Sequence, residues 1–248
     1  MSKHYFFIRE SITVVLLALL LCTPVLAAGE DEARAILNRM SAEIAALEQF
    51  VVTGDGYVDA RLGAGQIIEH SNDVVLRISK PDTLRITNRS AELMGEIFFG
   101  GGVLTVYNQT NNFYAQTPMP AGLDAAVDFA INEIGIEAPV LELISSDVGS
   151  FLLEDADSVD YFGLSLFRGG RYHHIGIRSA EVDLQLWISA DGAPLPGKMA
   201  ISSKWEAGAP RSVFFFSWDT EPEIKLENLK FKPPPGAIKI EFDRGVEQ

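Results

Sequence analysis

Val213-Phe214-Phe215-Phe216-Ser217-Trp218 is the stretch on which the reading of this fold turns. In a strand, neighbouring side chains point to opposite faces. Phe214, Phe216 and Trp218 therefore face one side, while Val213 and Phe215 face the other. Tyr161 to Phe167 also carries large apolar groups on both sides. A sheet that is apolar on both faces is either covered on both or lines an apolar cavity. The pattern by itself leaves both readings open. Asp183 to Ser189 is an ordinary half-buried strand, with Leu184, Leu186 and Ile188 on one face and Asp183, Gln185 and Ser189 on the other.

Upstream of that stretch, the same period of two marks Val159–Phe167, Tyr172–Arg178, Val182–Ile188 and Lys198–Trp205 as strands. Gly169-Gly170, Asp191-Gly192 and Gly208-Ala209-Pro210 fall between them as turns. Further towards the N-terminus, Val74–Ser79, Leu84–Thr87, Ile97–Phe99, Val103–Tyr107 and Phe113–Ala115 repeat the pattern. Gly100-Gly101-Gly102 reads as a hairpin turn. Connections this short favour an antiparallel meander over parallel crossover units. Two stretches differ. Ala33, Ile36, Leu37, Met40, Ile44, Leu47 and Phe50 recur at helical spacing, with Glu30, Asp31 and Glu32 at the start where the helix dipole favours acids. Leu123–Ile134 and the segment after Pro139 form a helical block in mid-chain. The order helix, strands, helices, strands predicts an α+β fold, with helices on one face of a strongly curved antiparallel sheet.

The N-terminus reads as an export leader. Lys3 and Arg9 precede an apolar run, Ile12 to Leu21, and Pro24 and Val25-Leu26-Ala27 follow. A run of about ten residues is short of the ~20 that a membrane-spanning helix needs. Cleavage is expected after Ala27, with residues 1–27 as leader and 28–248 as a single domain. An uncleaved anchor is the alternative. Lipoprotein processing at Cys22 fits poorly, because Leu21 is larger than that chemistry accepts. Cys22 is the only cysteine, so the mature chain is expected to lack disulfides, a thiol nucleophile and thiolate metal ligands. Loss of Lys3, Arg9 and Glu10 with the leader takes the formal charge from −14 to −15. Such a charge repels phosphate backbones and anionic lipid surfaces, which argues against nucleic-acid partners and, unless the fold gathers a local basic patch, against tight docking on an anionic membrane. No stable membrane insertion is expected once the leader is removed.

Candidate chemistry is sparse. His173 and His174 are adjacent on a predicted strand and point to opposite faces, so they do not share one metal in regular geometry. No Gly-x-Ser-x-Gly elbow occurs. Glu154, Asp155 and Asp157 read as a solvated acidic loop, and Gly100-Gly101-Gly102 lacks the lysine of a phosphate loop. The expectation is therefore no catalytic residue, no metal and no cofactor.

Several segments taken in order carry a family resemblance. They are Lys80-Pro81-Asp82-Thr83-Leu84-Arg85-Ile86, Ile97-Phe98-Phe99-Gly100 and Leu104-Thr105-Val106-Tyr107. Phe113-Tyr114-Ala115, Tyr172-His173-His174-Ile175, Leu186-Trp187-Ile188 before Leu195-Pro196, and Phe231-Lys232-Pro233-Pro234-Pro235-Gly236-Ala237 complete the set. Together they resemble the predicted periplasmic proteins of domain-of-unknown-function family 2092, which are similar to the LolA, LppX and LprG group of lipoprotein and lipid carriers. The resemblance spans nearly all of residues 31–242. It implies a half-open, bent antiparallel sheet (LolA-like) wrapped around helices with an apolar cavity between, and a periplasmic location. It implies no catalytic residues, and no ligand role is transferred to Arg85.

The functional expectation is binding or carriage of an acyl chain, lipid or lipoprotein, with an envelope protein as a further partner. The candidate cavity lining is Tyr161, Leu164, Leu166, Leu184, Leu186, Ile188, Met199, Ile201, Trp205, Phe214, Phe216 and Trp218. The alternative is a protein-interaction or sensor module on the same fold without lipid cargo, and a hydrolase ranks third.

Overall fold

The computed structural model describes residues 29–242 except 64, 92, 135–138 and 207, and not the side chain of residue 139. The expected leader, with Cys22 and the cleavage position after Ala27, lies outside the described residues.

The helical spacing at the N-terminus becomes α1 (Glu30–Ala46), whose face Ala33, Ile36, Leu37, Met40 and Ile44 is fully buried. Phe50, expected on that helix, lies instead on β1 (Gln49–Arg61). The backbone turns extended at Leu47, and the β-branched run Val51-Val52-Thr53 favours a strand. Phe50 reaches the same core from the sheet side. Five more strands follow: β2 (Ile67–Ser79), β3 (Thr83–Ser90), β4 (Met94–Gly100), β5 (Val103–Asn108) and β6 (Phe113–Pro118). The helical block is α2 (Leu123–Asn132), α3 (Pro139–Glu142) and α4 (Val148–Leu153). Then come β7 (Ser158–Phe167), β8 (Gly170–Arg178), β9 (Val182–Ser189), β10 (Pro196–Ser203) and β11 (Arg211–Asp219). A 3-10 turn (Leu226–Leu229) leads to the short β12 (Ile238–Ile240).

Among the described residues, twelve strands form one curved, open sheet in the order β12-β6-β5-β4-β3-β2-β1-β11-β10-β9-β8-β7. Every pairing is antiparallel except β12 with β6. The fold is therefore α+β, as the order of periodicities predicts. Two meanders meet where β1 pairs with β11, with Val52 opposite Trp218 and Gly54 opposite Phe216. Gly54 and Gly56 are required at this seam. A Cβ on Gly54 would sit 2.9 Å from Val74 and 3.4 Å from the Phe216 ring. One on Gly56 would come within 2.9 Å of the Phe214 ring.

The two-sided apolar pattern has a structural answer. Phe214 and Phe216 are buried against the helices on the concave face, and Trp218 stacks on Phe50 at 5.8 Å. On the outer face, Phe215 is covered by charged and aromatic groups. Arg168 stands over its ring at 4.2 Å and Lys198 at 5.4 Å, with Tyr57 at its edge. Lys198 also caps Trp187 at 4.1 Å, and His174 stacks on the same indole at 4.3 Å. The cationic stems and rings thus shield the outer apolar side chains from water.

The C-terminal segment straps the outer face of the other meander. Phe231 sits among Phe98, Tyr107 and Tyr114, with ring centroids 5.0–5.6 Å away. Arg85 points outward, pairs with Glu96 at 2.5 Å and donates to the Asn228 carbonyl at 2.9 Å. Its role in the fold is to hold this strap.

Candidate functional site: a cleft at the end of the helical layer

Most of the concave face is closed. Ile188 and Leu186 are 0% exposed and Met199 is 1% exposed, within one continuous core that includes α1 to α4. Hydrogen bonds among the described residues cap the helical block, tie its parts together and join it to α1. Asp124, in the first turn of α2, accepts from the Ser146 amide at 2.8 Å and from its hydroxyl at 2.5 Å. Asp147 caps α4 by accepting from the Ser150 amide at 3.2 Å. The Gly149 amide donates to the Ser41 hydroxyl on α1 at 3.2 Å.

Where α3 and α4 end, the layer parts from the sheet. A cleft of about 630 Å³ opens there, within the range of small-molecule sites. Phe151, Leu152 and Ala156 form one wall and Ile177, Val182 and Leu184 the other, with Trp205 at the rim. Five carboxylic acids also line it: Glu142, Glu154, Asp155, Asp157 and Glu181. Glu154, Asp155, Asp157 and Glu181 are exposed where the cleft meets solvent, as are Phe151 and Trp205. Glu142 is deeper, and burial pushes its carboxyl up to about 7 from an ordinary 4.5. Desolvation favours the neutral form, and no partner among the described residues offsets it. Lys204, next to the rim residue Trp205, is engaged: its ammonium donates to the Ser179 carbonyl and pairs with Asp183 at 3.1 Å.

The structure places the expected lining residues in three groups. Leu184 and Trp205 come together at the cleft. Trp205 lies past the end of β10, not on the strand as its spacing suggests, and is 62% exposed. Ile201 is half-buried on β10, directly opposite Leu184. The second group lies in the closed core or against it: Tyr161, Leu186, Ile188, Met199, Phe214, Phe216 and Trp218. The third is Leu164 and Leu166, at the free edge strand β7, 56% and 78% exposed. A register shift between Tyr161 and Leu164, at Gly163 with φ 88°, separates them from the core part of the strand.

His173 and His174 diverge as their strand positions predict. The Tyr161 hydroxyl lies 2.8 Å from Nδ1 of His173, whereas His174 is on the opposite face against Trp187 and Gln185. No group of three or more metal-ligating side chains occurs among the described residues. Phe151, Leu152 and Glu142 are site residues that sequence reasoning missed. The signal for Glu142 was available: it is a lone acid inside Val140-Leu141-Glu142-Leu143-Ile144, a helix-forming run that is otherwise apolar.

A family model described as "Predicted periplasmic protein (DUF2092)" matches residues 33–243. The chain belongs to this family. The DUF2092 chain is accordingly assigned to the periplasm. No curated protein sequence matches it. Similar solved structures include an uncharacterized conserved protein from Thermus thermophilus, at 13% identity and TM-score 0.50, covering 85% of this chain and 99% of that one. Mycobacterium tuberculosis lipoprotein LppX is 13% identical with TM-score 0.46, over 80% of this chain and all of LppX (100%). A LolA superfamily protein from Nitrosomonas europaea is 10% identical with TM-score 0.34, over 80% and 97% of the two chains. At such identities the likeness concerns the fold alone. Among the described residues of the DUF2092 chain, no helix is long and apolar enough to cross a membrane.

Proposed function

We propose that this protein binds the acyl chain of a lipid or lipoprotein in the cleft between α3–α4 and the β8–β9 end of the sheet. The observation that carries this reading is an opening of about 630 Å³ whose walls are Phe151, Leu152, Ile177, Val182 and Leu184. Each CH₂ transferred from water to such walls contributes ~0.8 kcal/mol, so a long chain is held without special polar chemistry. A periplasmic family, with the export leader expected at residues 1–27, fits a carrier or receptor for envelope lipids. The activity is binding, with no catalytic step.

A second reading, an interaction or sensor module without lipid cargo, is supported by the complete burial of Leu186, Ile188 and Met199. In that reading the helices and sheet form a finished core, and the cleft is only its frayed end. Thermal unfolding of delipidated protein with and without a dodecyl-chain ligand separates the two. A ligand that binds the folded state raises the melting temperature with its concentration. Stabilisation that is abolished by Val182→Trp supports the acyl site. Equal melting curves with every acyl ligand would transfer the weight to the interaction module.

A further inference from the structure

We infer that the cleft selects amphiphiles with a cationic amine headgroup over those with an anionic one. This rests on the acyl-site reading above and names the headgroup class that the same cleft accepts.

The argument is one of charge placed against an apolar wall. A bound acyl chain lies against Phe151, Leu152 and Leu184, and its headgroup must then emerge at the mouth. The side chains waiting there are Glu154, Asp155, Asp157 and Glu181, with Glu142 further in, and no Lys, Arg or His lines the cleft among the described residues. The cations nearby are already engaged. Lys204 is held by the Ser179 carbonyl and Asp183, and Arg178 donates to the Ser158 hydroxyl. A carboxylate or phosphate headgroup would meet four carboxylates and no cation in the cleft lining. An ammonium would meet the same four as partners. The formal charge of the whole chain, −14, adds a long-range field of the same sign.

Two sources supply this chemistry, a free amine-bearing lipid and an acylated basic peptide, and the test includes both. Delipidated protein is titrated with four ligands that share a dodecyl-length chain: dodecylamine, a dodecanoylated Gly-Lys-Lys peptide, dodecanoate and neutral monododecanoylglycerol. All are used below their micellar concentrations, and binding is read by calorimetry and by Trp fluorescence, with Trp205→Phe to locate the signal. The expected result is that at least one cationic ligand binds about tenfold tighter than dodecanoate, with the neutral ligand between them, and that added salt narrows the gap. If dodecylamine and the peptide both show the preference, the amine suffices. If only the peptide does, the source is an acylated protein segment.

The variant Glu154→Gln/Asp157→Asn/Glu181→Gln changes only positions at the mouth, outside the core, and should fold. It should lose most of the preference while still binding the neutral ligand. Equal affinity for all four ligands overturns the headgroup inference and leaves the acyl site standing. Tighter binding of dodecanoate overturns it too. If none of the four binds, both readings fail together.

Discussion

The Gly149 amide donates to the Ser41 hydroxyl at 3.2 Å, joining α4 to α1 across 108 residues of sequence. This bond sets how closely the two helices pack. A Cβ on Gly149 would stand 3.3 Å from the Ser41 Cβ, so an alanine already needs the helices to give by a few tenths of an ångström and a larger side chain needs more. Gly149→Leu should therefore destabilise the fold by ~1–3 kcal/mol, as overpacking does. Ser41→Ala should cost ~1–3 kcal/mol by leaving the amide without its acceptor. Urea unfolding of both variants checks the pair, and unchanged midpoints in both would show that α4 does not depend on this contact.

Glu142 makes stability depend on pH in a definite direction. Its folded-state carboxyl titrates at about 7, above its ordinary 4.5, because burial disfavours the charge. Between those values the folded state holds a proton that the unfolded chain has released. Stability contributed by the neutral carboxyl is thus fully present below 4.5 and is lost as pH rises through about 7. Glu142→Gln should gain ~1–3 kcal/mol over wild type at alkaline pH and little at acid pH. Denaturant titrations across that range should show the two curves diverging as pH rises.

Packed core and open cleft should respond differently to substitution. Leu186→Ala empties a fully buried site and should cost ~2–5 kcal/mol. Ile201 is half-buried beside the cleft residue Leu184, and Ile201→Trp should extend its ring from there towards the cleft. It should shift the melting temperature by only a few degrees while weakening binding of a neutral dodecyl ligand about tenfold. Gross destabilisation of Ile201→Trp would mean that the cleft has no room at this point.

The C-terminal strap should loosen when its anchors are removed. Arg85→Ala deletes both the Glu96 pair and the bond to Asn228, and Phe231→Ala removes the ring enclosed by Phe98, Tyr107 and Tyr114. Hydrogen exchange over residues 226–240 should accelerate by about tenfold or more in each variant, with β1 and β11 unaffected. Uniform acceleration across the sheet would instead mark the strap as part of the global folding unit.

The two adjacent histidines should behave as separate structural residues. His173 meets the Tyr161 hydroxyl and His174 lies flat on Trp187 from the other face. Zinc should leave the melting temperature unchanged in wild type, His173→Gln and His174→Gln alike. A zinc-dependent rise in wild type that either variant abolishes would overturn this.

The strands, the amphipathic face of α1, the helical block in mid-chain and the family are all legible in the amino-acid sequence. These depend on the alternation of neighbouring side chains and on ordered local motifs, which the backbone converts directly into strand and helix faces. The same alternation separates the two faces of β11, with Phe214 and Phe216 on one and Phe215 on the other. What covers each face is a matter of tertiary structure. Arg168, Lys198 and Tyr57 reach Phe215 from different elements, and no local period encodes their meeting. The same holds for the site. Glu154, Asp155 and Asp157 look like a solvated loop until α4 and the β8–β9 turn bring Phe151, Leu152 and Leu184 beside them. Leu184 and Leu186 are two residues apart on one strand face, yet one borders an opening and the other is sealed. The difference lies in where α3 and α4 stop, and that is set by packing between segments far apart in the chain.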